Sequence, residues 1–364
     1  MEDNHKKILE LIEAIDNKDF TFYFYTLDTK GNPTAAIANI YEHAKVLTEL
    51  GYKATILHDK NDYQGVGDWL GESYAALPHR SIEQQDLNLK AIDYLIVPEI
   101  FSNVMESVKQ MPCKKIVLSQ AYTYILELLK INDRWDINYG FWDVITTSDK
   151  QAEYVKRLFP RIKTHVINPA IPEYFKPSPK IKKPVISILT RDQKQALSIV
   201  KSFYLRYPMY KWVTFRELRG LPRKTFAETL GESCLAVWVD EISSFGTFPL
   251  EAIQCETPVI GKIPEMIPEW MELESDDKQV IKLKNNGIWT NSVLAIPDLI
   301  ADYMKAWLDD SLTDTFLQAM RDSKDMYTKE NEDKAIEELY SKFVSDRKVE
   351  FETILKIEAE KTQK

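Results

Sequence analysis

The chain has 364 residues, 44% of them hydrophobic and 28% charged, which excludes a disordered chain, a collagen-like repeat or a disulfide-stapled miniprotein. At roughly 150 residues per domain, that length points to two domains and a terminal element. Forty-seven Lys and Arg against 56 Asp and Glu leave a net charge of −9, so no global basic field gathers nucleic acid or anionic lipid, although a local basic site for an anionic ligand is compatible with it. Cys113, Cys234 and Cys255 are an odd set without metal-like spacing and read as reduced, buried thiols, which favours a cytoplasmic location. The first residues lack the apolar stretch of a signal peptide, and no run approaches the ~18 apolar residues of a membrane span. With only 11 Gly, a phosphate site has to rest mainly on helix N-termini and cations rather than on glycine-rich loops.

Residues 6–16 place Ile8, Leu11, Ile12 and Ile15 at helical spacing, an amphipathic helix that suits a lid, a packing element or an interface. Residues 20–26 are an aromatic, β-rich run, 27–33 carry turn chemistry, and Ile37, Ile40, Tyr41, Ala44 and Leu47 mark one face of a helix that Gly51 closes. A strand at 54–57 completes a right-handed β-α-β unit. Strands at 93–97, 115–119 and 143–147, with helices around 104–110 and up to about residue 158, repeat the pattern. Their continuous apolar runs suit a parallel sheet covered on both faces. The proline-dense residues 167–183 read as an interdomain link. A second set follows, with strands at 185–189, 212–215, 235–239 and 258–261 and helices at 196–205, 226–230 and 250–255. From Asp298 onward the chain reads as mostly helical, and after Met320 an apolar stripe of Ile336, Tyr340, Phe343, Ile354 and Leu355 runs through dense mixed charge. Two α/β halves place the natural ligand site in the cleft between them, at the carboxyl ends of the strands.

Residues 243–260, SSFGTFPLEAIQCETPVI, are the most specific stretch. They read as a strand end, a tight Phe-Gly turn and a helix whose first-turn amides open toward the cleft, which offers a diphosphate backbone donors and a positive dipole end. Glu251, one turn further in, can accept from the two hydroxyls of a ribose. The same residues also suit a buried βαβ turn with Glu251 on a solvated edge.

This stretch resembles the C-terminal signature of glycosyltransferase family 4 and related retaining enzymes of the GT-B fold, with Phe245, Gly246, Glu251, Ala252, Thr257, Pro258, Val259 and Ile260 in register. The resemblance implies an α/β protein of GT-B architecture: two Rossmann-like parallel-sheet domains facing a central cleft, with C-terminal helices. Residues 1–175 are then the acceptor-side domain, 176–320 the nucleotide-sugar-binding domain, and 321–364 helices packing back on the body. It implies transfer of a sugar from a nucleotide-sugar donor, UDP- or GDP-linked, to a hydroxyl of a glycan or lipid-linked acceptor with retention, as in polysaccharide biosynthesis. An inactive GT-B relative that binds nucleotide or glycan is the alternative.

The resemblance assigns ribose binding to Glu251 and donor binding to Ser243, Ser244, Phe245, Gly246, Thr247 and Phe248, with amides at 246–248 taking phosphate or hexose oxygens. It places the diphosphate on Arg191 and Lys194, in the loop after the first strand of the second half, and the acceptor or sugar side on Gly31, Asn32, Gln120 and Tyr122. In the 27–33 turn, Asn32 can supply the positive φ that a second glycine supplies in similar enzymes. Two positions depart from the signature: Ser243 replaces the first acid, with Glu241 two residues earlier, and Glu256 replaces a glycine. That first acid is expected to touch the donor hexose, so its absence leaves the sugar and the activity open. Gln120 stands where many relatives carry a histidine, and retaining transfer can do without a general base if a donor phosphate oxygen takes the acceptor proton.

His5, His43, His58, His79 and His165 show no metal-like pairing and no D-x-D follows a strand, so neither a metal nor another cofactor is inferred. Gly65, Gly67 and Gly71 make a loose dinucleotide fingerprint outside any strand-to-helix turn. Trp135, Trp142, Trp212, Trp238, Trp270, Trp289 and Trp307 are too scattered for a stacking platform and read as core. The expected partners are a nucleotide sugar and a glycan or glycolipid acceptor, without nucleic acid. The expected location is cytoplasmic, with room for weak peripheral contact at the inner face of a membrane through the 6–16 helix.

Overall fold

The computed structural model describes residues 2–84, 86–178, 180–271, 273–274, 280–283, 287–312, 318 and 327–362. Strands β1 (Thr21–Tyr25), β2 (Lys53–His58), β3 (His79–Ser81), β4 (Tyr94–Pro98), β5 (Lys114–Ser119), β6 (Asp143–Thr146) and β7 (Lys163–Val166) form the first sheet. Their order is β3-β2-β1-β4-β5-β6-β7, and every pairing is parallel. The apolar runs of β1, β4 and β5 are buried, as a sheet covered on both faces requires. Helices α1 (Glu2–Asp16), α2 (Ala35–Glu49), α3 (Gly67–Leu70), α4 (Glu72–Ala75), α5 (Ser102–Ser107), α6 (Tyr122–Leu128) and α7 (Asp149–Leu158) connect these strands and cover them. Ser148 caps α7 by accepting from Gln151 N at 3.2 Å, while Lys156 and Arg157 meet the negative end of its dipole.

The second sheet contains β8 (Lys183–Thr190), β9 (Thr214–Glu217), β10 (Ser233–Val239), β11 (Val259–Lys262), β12 (Leu273–Glu274), β13 (Val280–Leu283) and β14 (Gly287–Thr290). Its order is β12-β13-β14-β11-β10-β8-β9. The pairings are parallel from β14 through β9, as expected of a Rossmann-like parallel sheet, and the antiparallel pairs β12–β13 and β13–β14 extend it at one edge. Helices α8 (Gln193–Arg206), α9 (Arg223–Glu232), α10 (Thr247–Gln254) and α11 (Ile296–Leu308) belong to this half. The strand expected over 212–215 begins two residues later, because Trp212 lies in the turn leading into β9. Trp212 and Trp142 are exposed rather than core, and Arg161 covers the Trp142 ring at 5.0 Å.

The last described helix, α12 (Lys329–Thr362), packs on α1 and α2, over the first sheet. Ile336, Tyr340 and Phe343 enter that core together with Phe351, whereas Ile354, expected in the same stripe, is exposed. The Tyr340 ring meets Phe22 edge-to-face at 5.2 Å, and Tyr94 Oη donates to the Phe343 carbonyl at 3.1 Å. Helix α1 buries Ile8 and Ile15 in the same core, so its apolar face is a packing face. Glu42, Glu332 and Asp333 converge at this joint, and the Lys329 ammonium sits between Glu42, at 2.7 Å, and Asp333. Among the described residues no helix is long and apolar enough to cross a membrane.

His43, fully buried between α2 and α12 with Nδ1 3.0 Å from Tyr340 Oη, is pushed down to about 3, first by burial and then by the Lys329 charge. Its folded pKa lies below the unfolded value of about 6.5, so its stabilising contribution is complete above pH ~6.5 and is lost as the pH falls toward 3. Urea unfolding at pH 7 and pH 5 should therefore show a loss to which His43 contributes about 2 kcal/mol. A His43→Leu variant should lose correspondingly less stability over the same interval.

Candidate active site

The carboxyl ends of both sheets face one cleft of about 520 Å3, within the range of small-molecule sites. Helices α10 and α2 both start on it. Helix α10 opens at Gly246, whose left-handed φ of 71° and whose approach to Trp238, 3.0 Å from where a Cβ would stand, both require glycine. The Trp270 indole donates to the Phe245 carbonyl at 2.6 Å, and Ser243 Oγ accepts from Gly246 N at 2.9 Å. Thr247 and Phe248 line the cleft in the first turn, where amides have no partner within the helix; Pro249, next in the turn, has none to satisfy. Helix α2 likewise begins without a side-chain cap, with Ala35 and Ala36 on the opposite wall.

Two arginines of the second half reach this space. Arg191 lies just beyond β8, more than half exposed, with Nε 3.4 Å from Asp240 Oδ1. Arg219, in the loop after β9, donates through Nη2 to the carbonyls of Thr190 at 2.6 Å and Arg191 at 2.8 Å, so it also fixes the loop that carries Arg191. Arg219 was not singled out in the sequence; its signal is the arginine-rich run at 216–223 directly after a strand that ends on the cleft. Asp192 caps α8 by accepting from Lys194 N at 2.9 Å, and the Lys194 side chain is exposed and not among the residues that line the cleft.

The expected openness of Glu251 is corrected. Its carboxylate is 2% exposed and takes Arg223 Nη2 at 2.7 Å, and it is not among the lining residues. Arg223 stacks over Phe175 and Phe226, with ring distances of 4.9 and 5.4 Å. Burial works against the Arg223 charge, but Glu251 and Tyr174 more than offset it, so the guanidinium is held above its ordinary value. The pair joins α9 to α10 behind the turn.

Other expected contacts move. Ser243 lines the cleft, but its hydroxyl accepts from Gly246 N, so that amide is not free for a ligand. Ser244 is fully buried and accepts from Tyr122 N at 3.0 Å across the two halves, while Tyr122 Oη lies 3.5 Å from the Glu241 carbonyl. Tyr122 and Ser244 therefore hold the halves together, and Tyr124 takes a place on the cleft instead. Lys150 N donates to Glu269 Oε1 at 2.9 Å as a further link between them. Glu241 pairs with Lys262 and does not reach the site, whereas Asp240 does, its Oδ1 accepting from Ile242 N at 3.1 Å and Ser243 N at 3.2 Å.

In the first half Gly31 has a φ of 80° and Lys30, not Asn32, carries the second positive φ, at 48°. Neither Gly31 nor Asn32 lines the cleft; Leu27, Asp28 and Thr29 of the same loop do. Gln120 lines it, with its amide group held by Asn39 Nδ2 and the Ala36 carbonyl, both at 3.1 Å. Beneath it Glu99 Oε1 accepts from Gln120 N at 2.9 Å and Ala121 N at 2.6 Å. Burial raises the Glu99 carboxyl to about 7 against the lowering effect of these amides. Among the histidines, His58 Nε2 and His79 Nδ1 lie 2.7 Å apart, a pairing not evident in the sequence.

No family model matches the chain. It is 25% identical over 233 residues to an alpha-1,6-glucosyltransferase of Actinobacillus pleuropneumoniae serotype 7, a match that covers 60% of this chain and 66% of that protein. Among solved structures it is similar to a sucrose-phosphate synthase from Thermosynechococcus elongatus, with TM-score 0.62 and 12% identity over 90% of this chain and 100% of that one. It is similar to Anabaena HepE in complex with UDP and glucose, with TM-score 0.61 and 12% identity over 90% and 100%. The pneumococcal O-GlcNAc transferase GtfA, in complex with UDP and GlcNAc, gives TM-score 0.59 and 11% identity over 90% and 99%. The fold is thus the α/β GT-B architecture of these solved structures.

Removing the Glu251 carboxylate strands the Arg223 charge in its aromatic pocket. Glu251→Ala should destabilise the chain by about 3–5 kcal/mol, read as a lower urea midpoint, with Glu251→Gln losing less because its amide oxygen still accepts from Arg223.

Proposed function

We propose that the chain transfers a hexose from a UDP-sugar to a hydroxyl of a glycan or lipid-linked acceptor with retention at the anomeric carbon. The observation that carries this reading is the convergence of the open α10 start, the open α2 start, Arg191 and Arg219 on one cleft. Anions favour helix N-termini and bidentate guanidinium groups, and a nucleoside diphosphate presents the charge to match them. UDP as the nucleotide is supported by HepE and GtfA, both solved with it. Retention is supported by the alpha-1,6-glucosyltransferase relative, because an α product from an α-linked nucleotide sugar keeps the configuration.

In the reaction the bond between the anomeric carbon and the β-phosphate oxygen breaks, and its electron pair leaves with UDP. The acceptor oxygen bonds to that carbon on the same face, and the hydroxyl proton passes to a diphosphate oxygen. The groups that lower the barrier are those that stabilise charge growing on the leaving diphosphate: the Thr247 and Phe248 amides and the two arginines. Glu251 and Arg223 join α9 to α10 behind its start. A non-catalytic relative that binds nucleotide without transfer is favoured by Ser243, whose hydroxyl is already committed to Gly246 N.

Titration calorimetry with UDP tests the site. Arg191→Ala and Arg219→Ala should each weaken binding roughly ten- to a hundredfold, the loss of a charge-assisted hydrogen bond, while Lys194→Ala should stay within about twofold. Wild-type affinity in both arginine variants removes the site. UDP binding without UDP release from UDP-sugars across an acceptor panel favours the non-catalytic relative.

A further inference from the structure

The two walls of the cleft differ in charge. The cationic side chains lining it among the described residues are Arg191 and Arg219, both from the second half. Among the described residues no Lys, Arg or His of the first-half wall lines the space; the ionisable groups there are Asp28, Glu99 and Tyr124. Lys30, the basic residue of the same loop as Asp28, is not among the lining residues. Asp28 is held in place, its Oδ2 accepting from Gln64 N at 2.9 Å. Leu27, nearly half exposed, and Phe101 add apolar surface beside these groups.

We propose that this wall is an acceptor subsite for an uncharged sugar, whose hydroxyls are taken by Asp28, Glu99 and Gln120 and whose C–H face packs on Leu27, Phe101 and Tyr124. The subsite rejects acceptors that carry phosphate, sulfate or carboxylate on the sugar at the reacting end. The inference rests on the transferase reading above and goes beyond it by naming the chemical class of the acceptor. Carboxylates match the donor hydroxyls of a sugar, while a phosphate brought against Asp28 meets like charge with no guanidinium or ammonium on that wall to offset it. The α2 amides on the same wall are directed to the diphosphate in this arrangement, so they leave the acceptor without an anion site.

UDP release from UDP-glucose is measured with methyl glucoside and with glucose 6-phosphate as acceptors. Faster release with the neutral sugar is expected, and preference for the phosphorylated one overturns the proposal. Asp28→Lys should shift the ratio of the two rates toward the phosphate by at least about tenfold, given the size of like-charge penalties. Asp28→Asn, which keeps an oxygen for Gln64 N, should shift it less; an unchanged ratio in both variants overturns the proposal. If UDP is bound but no turnover occurs, saturation-transfer NMR with UDP present reads the same wall. Signal from methyl glucoside but not glucose 6-phosphate supports the subsite, and absence of signal from the neutral sugar overturns it. Failure of UDP itself to bind refutes the transferase reading, and the same NMR comparison without UDP then decides the subsite by the same criteria.

Discussion

The turn at residues 243–248 is the constraint on which the cleft depends. A helix start is useful to an anion only if its first amides face outward and stay free, and that requires the chain to reverse within a few residues of the β10 end. Three side chains fix the reversal. Ser243 ties off the Gly246 amide, Trp270 holds the Phe245 carbonyl, and Trp238 packs 3.0 Å from where a Gly246 Cβ would stand. Each contact uses up a group that would otherwise compete for water or ligand, which leaves the amides of Thr247 and Phe248 to the cleft. Behind this turn, Arg223 and Glu251 bind α10 to α9 in a region too dry for either charge alone.

The same frame spans both halves. Tyr122 and Lys150, in the first turns of α6 and α7, each give a backbone amide to the second half, to Ser244 and Glu269. Backbone donors at helix starts are strong and well directed, so these links set the width of the cleft as well as closing two helix ends. Ser244 neighbours Phe245, and the register of the α10 turn is thereby coupled to the first half. Widening the cleft has to break these bonds, and the free helix starts they expose are ready to take water in exchange.

Much of the fold was legible in the sequence because buried parallel strands are long apolar runs and the helices between them keep one apolar face. The second-sheet edge was not, since β12 and β13 lie in a charged stretch in which no apolar run marks a strand. Strand β7 was not marked either, a four-residue run of mixed character just before the proline-dense link. In the site, residues 243–260 showed the turn and the helix start, which depend on local spacing. The partners of each residue depend on chain segments far away: Glu251 on Arg223, Ser244 on Tyr122, Gln120 on Asn39. A carboxylate one turn into a helix looks the same in sequence whether it faces a ribose or a guanidinium. Arg219 was passed over for a related reason, since it meets the cleft through the carbonyls of Thr190 and Arg191, on a loop far from it in sequence.

With only 11 glycines the chain offers few glycine-rich loops, so the free and occupied amides of its helix starts decide where negative charge is favoured. A parallel α/β protein presents many helix starts to the same side of its sheets, and each uncapped one attracts negative charge. Here the starts of α6, α7 and α8 are closed by protein groups: Glu99 and Ser244 at α6, Ser148 and Glu269 at α7, and Asp192 at α8. Helices α2 and α10 carry no side-chain cap, and their first residues line the cleft from opposite walls. Which amides remain for an anion at the cleft therefore depends as much on the starts that are closed as on those, α2 and α10 among them, that carry no side-chain cap. The closure at α6 has a second effect, because the Glu99 carboxyl that performs it is one of the ionisable groups on the first-half wall of the cleft.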